Sequence, residues 1–170
     1  MELTPNLNYE KLKRNQFAFF LDITPKAENP TWKLLGFGIT EGKINYNNQI
    51  TTEKWISDEN ATSEHEGNQK QMDVNQKCYK NEPCFEYMDG LRDKSGDAVK
   101  GHILEVDLWK GTETEGVMKY PTKYSNCITP VSGFLGSNAE IDYGIHFNGD
   151  PIEGMVTIAN GIPTFTPNAG

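Results

Sequence analysis

The stretch Glu140-Ile141-Asp142-Tyr143-Gly144-Ile145-His146-Phe147-Asn148-Gly149 is the clearest indication of how this chain folds. Apolar side chains alternate with polar or small ones from Glu140 to Phe147, which is the period-two pattern of a strand with one buried face. The Asn148-Gly149 pair then predicts a tight hairpin turn, because both residues tolerate positive φ. We therefore expect a half-buried strand that ends in a turn at Asn148.

The same alternation predicts several further strands. They cover 17–23, 35–39, 104–108, 155–158 and 162–165, and the last two surround a turn at Asn160-Gly161. With 16 Gly and 9 Pro among 170 residues, turn formers punctuate the whole chain. Many short strands separated by turns indicate a β-sandwich or an open barrel. The length fits a single domain over 1–170.

One segment follows the helical period instead. Asn81 is a suitable N-cap, Pro83 fits the first turn, and Met88 and Leu91 then fall on one face. The stretch 94–96 contains Gly and predicts the end of the helix, which therefore covers about 82–94. The expected fold class is mainly β: a β-sandwich or open barrel with one flanking α-helix.

The region of about 42–79 is unusually polar. Two strands, about 43–52 and 69–79, have weak apolar faces, and we expect them to pair as a hairpin. Their opposite faces carry amides and acids, namely Asn45, Asn47, Gln49, Gln71, Asp73 and Asn75. Between them lies an acidic connection, 53–67, which is longer than most loops of compact domains. We expect it to project as a loop or hairpin arm.

Trp55 and Ile56 are the apolar residues of this arm and need a burial partner. The remaining arm residues of interest are acidic: Asp58, Glu59, Glu64 and Glu66. Their spacing does not match a calcium-binding EF-hand loop, so we interpret them as a solvated acidic stretch. We expect the arm to be poorly ordered in a monomer and to dock on another subunit through Trp55 and Ile56.

The charge balance narrows the possible functions. With 16 Lys and Arg against 24 Asp and Glu, the net charge is -8, which excludes a protein that clamps nucleic-acid phosphates. No apolar run approaches the roughly 18 residues of a membrane-spanning helix, and Met1–Asn6 lacks the features of a secretory signal. We therefore expect no membrane insertion by this chain.

No pattern in the sequence predicts catalysis. The nucleophile elbow, the P-loop, the dinucleotide-binding fingerprint and the HExxH motif are all missing from it. The histidines fall in different predicted elements, at His65, His102 and His146. The odd number of cysteines predicts reduced, buried or half-buried thiols at Cys78, Cys84 and Cys127. We expect no enzyme activity, no cofactor and no metal.

Three segments together resemble the tail tube (major tail) proteins of long-tailed phages of Gram-positive hosts. Residues 53–61 resemble a loop of that family, 78–92 are similar to its helix segment, and 145–154 are similar to its hairpin near the C-terminus. Order and spacing also match, so that the resemblance covers about 53–154 and weakens over the first fifty residues and over 111–138. Asn81-Glu82 departs from the Gly-Asp that the family often has.

The resemblance implies a structural role in a non-contractile, siphophage-type tail. Such subunits form hexameric rings that stack into a hollow tube, whose lumen conducts double-stranded DNA during infection. The implied partners are further copies of the chain, a tape-measure protein, and the tail terminator and distal tail proteins. The implied location is the virion, after synthesis and assembly in the host cytoplasm. The family has no catalytic residues and no cofactor.

Within this resemblance, two surfaces acquire expected roles. The amide and acid side chains of 45–49 and 71–75 would face the lumen, where a basic wall would hold DNA phosphates and slow their passage. The segment 53–67 would connect subunits. The rival interpretation is a monomeric β-sandwich module that binds a carbohydrate or a cell-surface ligand, with Trp32, Trp55 and Trp109 as candidate contact residues.

Overall fold

The computed structural model describes residues 9–169, so that the Met1–Asn6 stretch discussed above lies outside the described residues. The strands are β1 Phe17–Asp22, β2 Trp32–Leu35, β3 Ile39–Asn45, β4 Gln49–Glu53, β5 Thr62–Gly67, β6 Gln71–Lys77, β7 Lys100–Asp107, β8 Thr112–Thr114, β9 Val117–Ile128, β10 Val131–Phe134, β11 Glu140–Ala159 and β12 Ile162–Pro167. The α-helix is α1, Pro83–Gly90, and short 3-10 turns cover Arg14–Gln16, Gly96–Val99 and Leu108–Lys110.

Most strands belong to a curled antiparallel sheet in the order β2-β1-β7-β9-β11-β6-β3. The strands β10 and β12 pair with β11, and β8 pairs with β9. The two edge strands, β2 and β3, are joined by residues 36–38 alone, which forces the sheet to curl back on itself. The result is an open half-barrel with one flanking helix, and the expected mainly-β class is confirmed.

The longest strand, β11, corrects the turn expected at Asn148-Gly149. The strand runs through this position, and its register with β9 shifts between Asn148 and Ile152. This shift is a β-bulge, in which Gly149 adopts a φ of 68°. The hairpin prediction was wrong because a glycine with positive φ suits a bulge as well as a turn. The Asn160-Gly161 turn is confirmed by the pairing of β11 with β12.

The strand β1 is buried on both faces, whereas the sequence pattern predicts a half-buried strand. Phe19 and Leu21 enter a first core between the sheet and α1, and Ala18 and Phe20 enter a second core on the opposite face. The second core also contains the buried side chains of Trp32, Leu104, Val106 and Val156. The prediction of a half-buried strand was incomplete, because the hairpin of β11 and β12 covers the face of β1 that was expected to be exposed.

Other predicted strand boundaries also differ from the structure. The segment 35–39 is a turn between β2 and β3, where Gly38 has a φ of 80° and Phe37 is exposed. The segment 43–52 is not one strand, because β3 ends at Asn45 and pairs with β6 before the chain leaves the sheet. Leu108 starts a 3-10 turn instead of ending β7. In each case the alternation of apolar and polar residues continues by chance past the end of the strand, so that the predicted boundary is misplaced.

The helix α1 packs Cys84 and Met88 into the first core. Its N-cap is Glu82, whose carboxylate accepts a hydrogen bond from the Phe85 N–H at 2.6 Å. The N-cap prediction at Asn81 was wrong because Asn81 takes a left-handed φ of 70° in the preceding turn. The helix ends at Gly90 and not near residue 94. Within residues 9–169, no helix combines the length and apolarity needed to cross a bilayer.

Two thiols lie deep in the first core. Cys84 and Cys127 are buried and Cys78 is half-buried, which matches the burial expected from the sequence. Burial raises the pKa of Cys84 to about 12, with the nearby Glu82 adding to the shift. Burial likewise raises the pKa of Cys127 to about 12, with a further contribution from Asp22. Both groups are therefore neutral in the folded protein at physiological pH.

We predict that Gly154→Ala destabilises the protein by about 1–3 kcal/mol, because overpacking a filled site has that cost. A Cβ at Gly154 would collide with the Thr166 backbone oxygen and approach Phe165 Cε2 to 2.5 Å. The matched control is Gly90→Ala, whose Cβ meets nothing within 4 Å and which should stabilise the protein by about 0.5–1 kcal/mol. Urea unfolding measures both changes, and equal stabilities would contradict the packing around β11.

We also predict that stability falls as the pH rises from 9 to about 12. Above pH 9 the unfolded chain ionises the Cys84 and Cys127 thiols while the folded protein keeps them protonated, so unfolding is favoured. Each thiol lowers the free energy of unfolding by at most about 1.4 kcal/mol per pH unit. Urea titrations at several alkaline pH values should show a shallower loss for Cys84→Ala/Cys127→Ala than for the wild type or for Cys78→Ala. Parallel losses would refute this assignment.

Candidate functional site

The strands β4 and β5 form a separate two-stranded ribbon, which we call the arm. All residues of these two strands are exposed except Gly67, which is partly buried. Of the two forms expected for the arm, a loop or a hairpin, the structure has a hairpin, in which only 54–61 remains a loop. Threonines at 51, 52 and 62 favour strands. This preference is hard to recognise in the sequence because the segment is mostly polar and acidic. The expected projection of an arm agrees with this ribbon.

The two faces of the arm differ in charge. The register places Ile50 opposite His65 and Thr52 opposite Ser63. The hydroxyl oxygens of Thr52 and Ser63 lie 3.0 Å apart. Thr51 faces Glu64 and Glu53 faces Thr62 on the other side of the ribbon. Because side chains alternate along a strand, one face of the arm is neutral and the other is acidic.

The tip of the arm exposes large apolar side chains. Trp55 is 58% exposed and Ile56 is fully exposed, and neither belongs to one of the two cores. A turn forms at this point, because the Asp58 N–H donates to the Trp55 carbonyl oxygen at 3.1 Å. The acidic residues of the predicted arm are exposed as well: Asp58, Glu59, Glu64 and Glu66. The contact that would cover Trp55 and Ile56 remains a prediction.

The arm joins the sheet through residues 47–49 and 68–70, which we call its root, and amide side chains stabilise this root. Asn47 has a φ of 44°, and its side-chain amide donates to the Gln69 carbonyl oxygen at 3.0 Å. The Gln49 amide donates to the Asn47 carbonyl oxygen, also at 3.0 Å. The His65 Nε2 lies 3.2 Å from the Asn48 side-chain oxygen. Asn47 and Gln49 therefore belong to the root of the arm, although the sequence grouped them with the polar face of the sheet.

Lys70 connects this root to the half-barrel through an ion pair and a contact with an aromatic ring. Its Nζ lies 2.6 Å from Glu105 Oε2 on β7, and the two side chains are only 14% and 18% exposed. The same Nζ lies 4.5 Å from the centre of the Phe147 ring, and the Phe147 N–H donates to the Lys70 carbonyl oxygen. This pair is not predictable from the sequence, because its members are 35 residues apart and no local pattern links them.

The remaining predicted polar residues share one face of the sheet. On β6, Gln71, Asp73 and Asn75 alternate with buried neighbours, and Asn45 of β3 lies opposite Gln71. The Asn75 side-chain amide donates to Asp142 Oδ1 at 2.6 Å and to Glu140 Oε2 at 3.2 Å on β11. These side chains form a hydrogen-bonded, mostly exposed polar surface. That this surface faces a lumen remains a prediction.

The histidines are not brought together. His102 Nδ1 lies 3.0 Å from Oδ2 of the buried Asp22, whose Oδ1 accepts the backbone N–H groups of Thr24 and Thr31. This arrangement fixes the connection between β1 and β2, and an Asp two residues before a Thr is the local signal that indicates such a turn. Within residues 9–169, no group of three or more His, Cys, Asp and Glu side chains could hold a metal ion.

The tryptophans proposed as ligand contacts differ in exposure. Trp32 is buried in the second core and packs edge-to-face on Tyr124, with ring centres 5.9 Å apart. Its proposed role in the rival binding module is therefore wrong, because a ligand cannot reach it. Trp109 is 45% exposed, and Lys110 Nζ lies 4.9 Å from the centre of its ring.

An apolar cavity of about 390 Å³ opens between the two sheet edges. Its walls include Phe19, Leu35, Ile39 and Met72, and Arg14 stands at its rim with Nη1 donating to the Phe17 carbonyl oxygen at 2.9 Å. The cavity exists because β2 and β3 do not pair with each other. No pattern in the sequence indicates this cavity.

The comparisons with known proteins leave the chain without an assigned family. No protein-family model matches it. No curated protein sequence matches it either. Its class is therefore defined by geometry: an acidic open half-barrel that carries an exposed, apolar-tipped arm on a fixed root.

We predict that Lys70→Met destabilises the protein by about 1–3 kcal/mol, because it leaves the largely buried Glu105 carboxylate without its partner. The double variant Lys70→Met/Glu105→Gln should lose less than the sum of the single losses, since the two side chains interact directly. Urea unfolding of the four proteins measures this coupling. As a control, Lys100→Met removes the exposed pair with Asp97 and should leave stability unchanged. Strict additivity would exclude a structural role for the Lys70 pair.

Proposed function

We propose that the chain is a structural subunit that polymerises into a phage tail tube. The observation that carries this proposal is the exposure of Trp55 and Ile56 at the tip of the arm. Large exposed apolar side chains on an ordered projection indicate a protein interface. Burying one such side chain contributes about 1.5–3 kcal/mol, and Trp is enriched among the residues that dominate interface energetics.

In this proposal the arm joins successive hexameric rings of a non-contractile tail. The acidic face of the arm would guide the orientation of the contact, because exposed charges contribute more to steering and register than to affinity. The tube would incorporate a tape-measure protein during assembly in the host cytoplasm and end on terminator and distal tail proteins. Its final location would be the virion.

The sheet edges support the same proposal. Within residues 9–169, strands β2 and β3 have no strand partner on their outer sides, and sheet edges of this kind template pairing with another chain. Neighbouring subunits in a ring would cover these edges and close the half-barrels into a continuous wall. Closure would also protect the apolar cavity between β2 and β3 from water.

The polar surface of β3, β6 and β11 supports a conducting lumen. Its amides and carboxylates bond to one another, as in the contact of Asn75 with Asp142. A net charge of -8 for each subunit gives the wall of the tube a sign that repels DNA phosphates. Double-stranded DNA would pass such a wall without being held, in transient and non-specific contact. We therefore propose that Asn45, Gln71, Asp73 and Asn75 line the bore.

The alternative function is a monomeric module that binds a carbohydrate or a cell-surface ligand. The exposure of Trp55 and Trp109 favours it, since such modules present aromatic rings to their ligands. The two functions differ in their concentration dependence. A binding module stays monomeric at high protein concentration, whereas a tube subunit forms rings or filaments that negative-stain microscopy detects.

We predict that Trp55→Ala abolishes filament formation while circular dichroism shows an unchanged fold, because Trp55 is mostly exposed and lies outside both cores. The matched control is Trp109→Ala, which removes another exposed indole and should polymerise as the wild type does. Sedimentation and microscopy of the three proteins measure the outcome. Normal polymerisation of Trp55→Ala would remove the arm from the proposed assembly, and a wild type that stays monomeric would refute the tube itself.

A further inference from the structure

A second exposed apolar surface lies far from the arm. The rings of Phe37 and Tyr79 pack edge-to-face with centres 4.9 Å apart, yet they remain 63% and 45% exposed. Lys77 and Lys80 flank Tyr79 in the sequence and are exposed as well. We call these four residues the Phe37–Tyr79 patch. An edge-to-face aromatic pair that stays this exposed to water is typical of an interaction surface.

The patch and the arm lie at opposite ends of β6. The strand begins at Gln71, directly after the root of the arm, and ends at Lys77. Phe37 is held at this second end, because its carbonyl oxygen accepts from the Gln76 side-chain amide at 3.1 Å. A strand of this length spans about 20 Å, at roughly 3.4 Å for each residue. A single chain therefore presents two separated apolar surfaces.

The two surfaces are complementary in charge. The arm tip has Asp58 and Glu59 close to Trp55 and Ile56 in the chain, whereas Lys77 and Lys80 flank Tyr79 of the patch in the chain, and all four charged residues are exposed. Within the described part of the chain, neither Lys77 nor Lys80 forms an ion pair. Glu140 lies opposite Lys77 on β11, but its carboxylate accepts from Asn75. The lysines are thus available to a partner with acidic side chains.

We propose that the Phe37–Tyr79 patch of one copy receives the arm tip of a second copy. This inference rests on the proposed function and adds the acceptor to it. Trp55 and Ile56 cover Phe37 and Tyr79, and Asp58 and Glu59 face Lys77 and Lys80 at the rim. Aromatic pairs contribute beyond the area that they bury, and the rim charges set the register.

The geometry of this contact leads to a growing chain of subunits. The donor and acceptor surfaces are different and lie at opposite ends of the sheet, so the contact is heterologous. A heterologous contact that does not close on itself leaves one free arm and one free patch at the two ends of every assembly. Each added layer then restores the same surfaces, which is what a tube of indefinite length requires.

A charge exchange tests the contact. We expect Lys77→Glu/Lys80→Glu to raise the protein concentration needed for filament formation by about tenfold or more, since like charges then meet at the rim. Asp58→Lys/Glu59→Lys should have a similar effect, and combining the four changes in one chain should restore assembly. The matched control is Lys11→Glu/Lys13→Glu, which makes the same change of net charge on exposed residues before β1 and should assemble as the wild type does.

The outcomes separate this contact from the proposed function. Circular dichroism and thermal unfolding first establish that each variant is folded. If the wild type polymerises and Lys77→Glu/Lys80→Glu does so at the same concentration, the acceptor lies elsewhere while the tube proposal stands. Failure of the fourfold variant to regain assembly, with both parent variants folded and defective, likewise overturns the pairing. A wild type that stays monomeric at every concentration overturns the tube and this contact together.

Discussion

Backbone pairing along β11 is the interaction on which the rest of the structure depends. This strand of 20 residues pairs with β6 and β10 over its first half, with β12 over its second half, and with β9 on both sides of the bulge. Its first half supplies Ile141, Tyr143 and Ile145 to the core under α1, and its second half supplies Val156 to the core on the opposite face. The bulge between Asn148 and Ile152 lets one strand serve both cores, because it shifts the register without ending the pairing.

The sequence predicts the class of the fold from individual strands, since alternation at 17–23 and 140–147 reports a buried face directly. It does not predict which strands meet. The second core arises from contacts between Phe20, Leu104 and Val156, and nothing local relates these positions. The misplaced hairpin at Asn148 and the misplaced cap at Asn81 have a common cause, because residues that tolerate positive φ mark turns, bulges and helix entrances alike.

In the candidate site, too, some features follow from the local sequence and others depend on contacts between distant residues. Trp55 and Ile56 stand out in the sequence because they interrupt an acidic stretch, and their exposure needs no tertiary contact. The root of the arm depends on Lys70 reaching Glu105 and on Asn47 reaching Gln69, which only the folded sheet brings together. Strand pairing between β4 and β5 also lowers the entropic cost of ordering the arm when a partner binds, because the ribbon is already formed. An arm of this kind presents its tip in a defined direction.

The pairing of β1 with β7 has a consequence for synthesis on the ribosome. Leu21 lies opposite Ile103, so that most of the chain must be made before β1 gains its second neighbour, β7. Until then β1, with apolar side chains on both faces, has only the neighbouring β2 to pair with, and it remains open to other chains. Sheets dominated by such distant pairings fold slowly. The turn held by Asp22, which closes β1 onto β2 through local hydrogen bonds, is therefore the contact that can protect this strand earliest in the life of the protein.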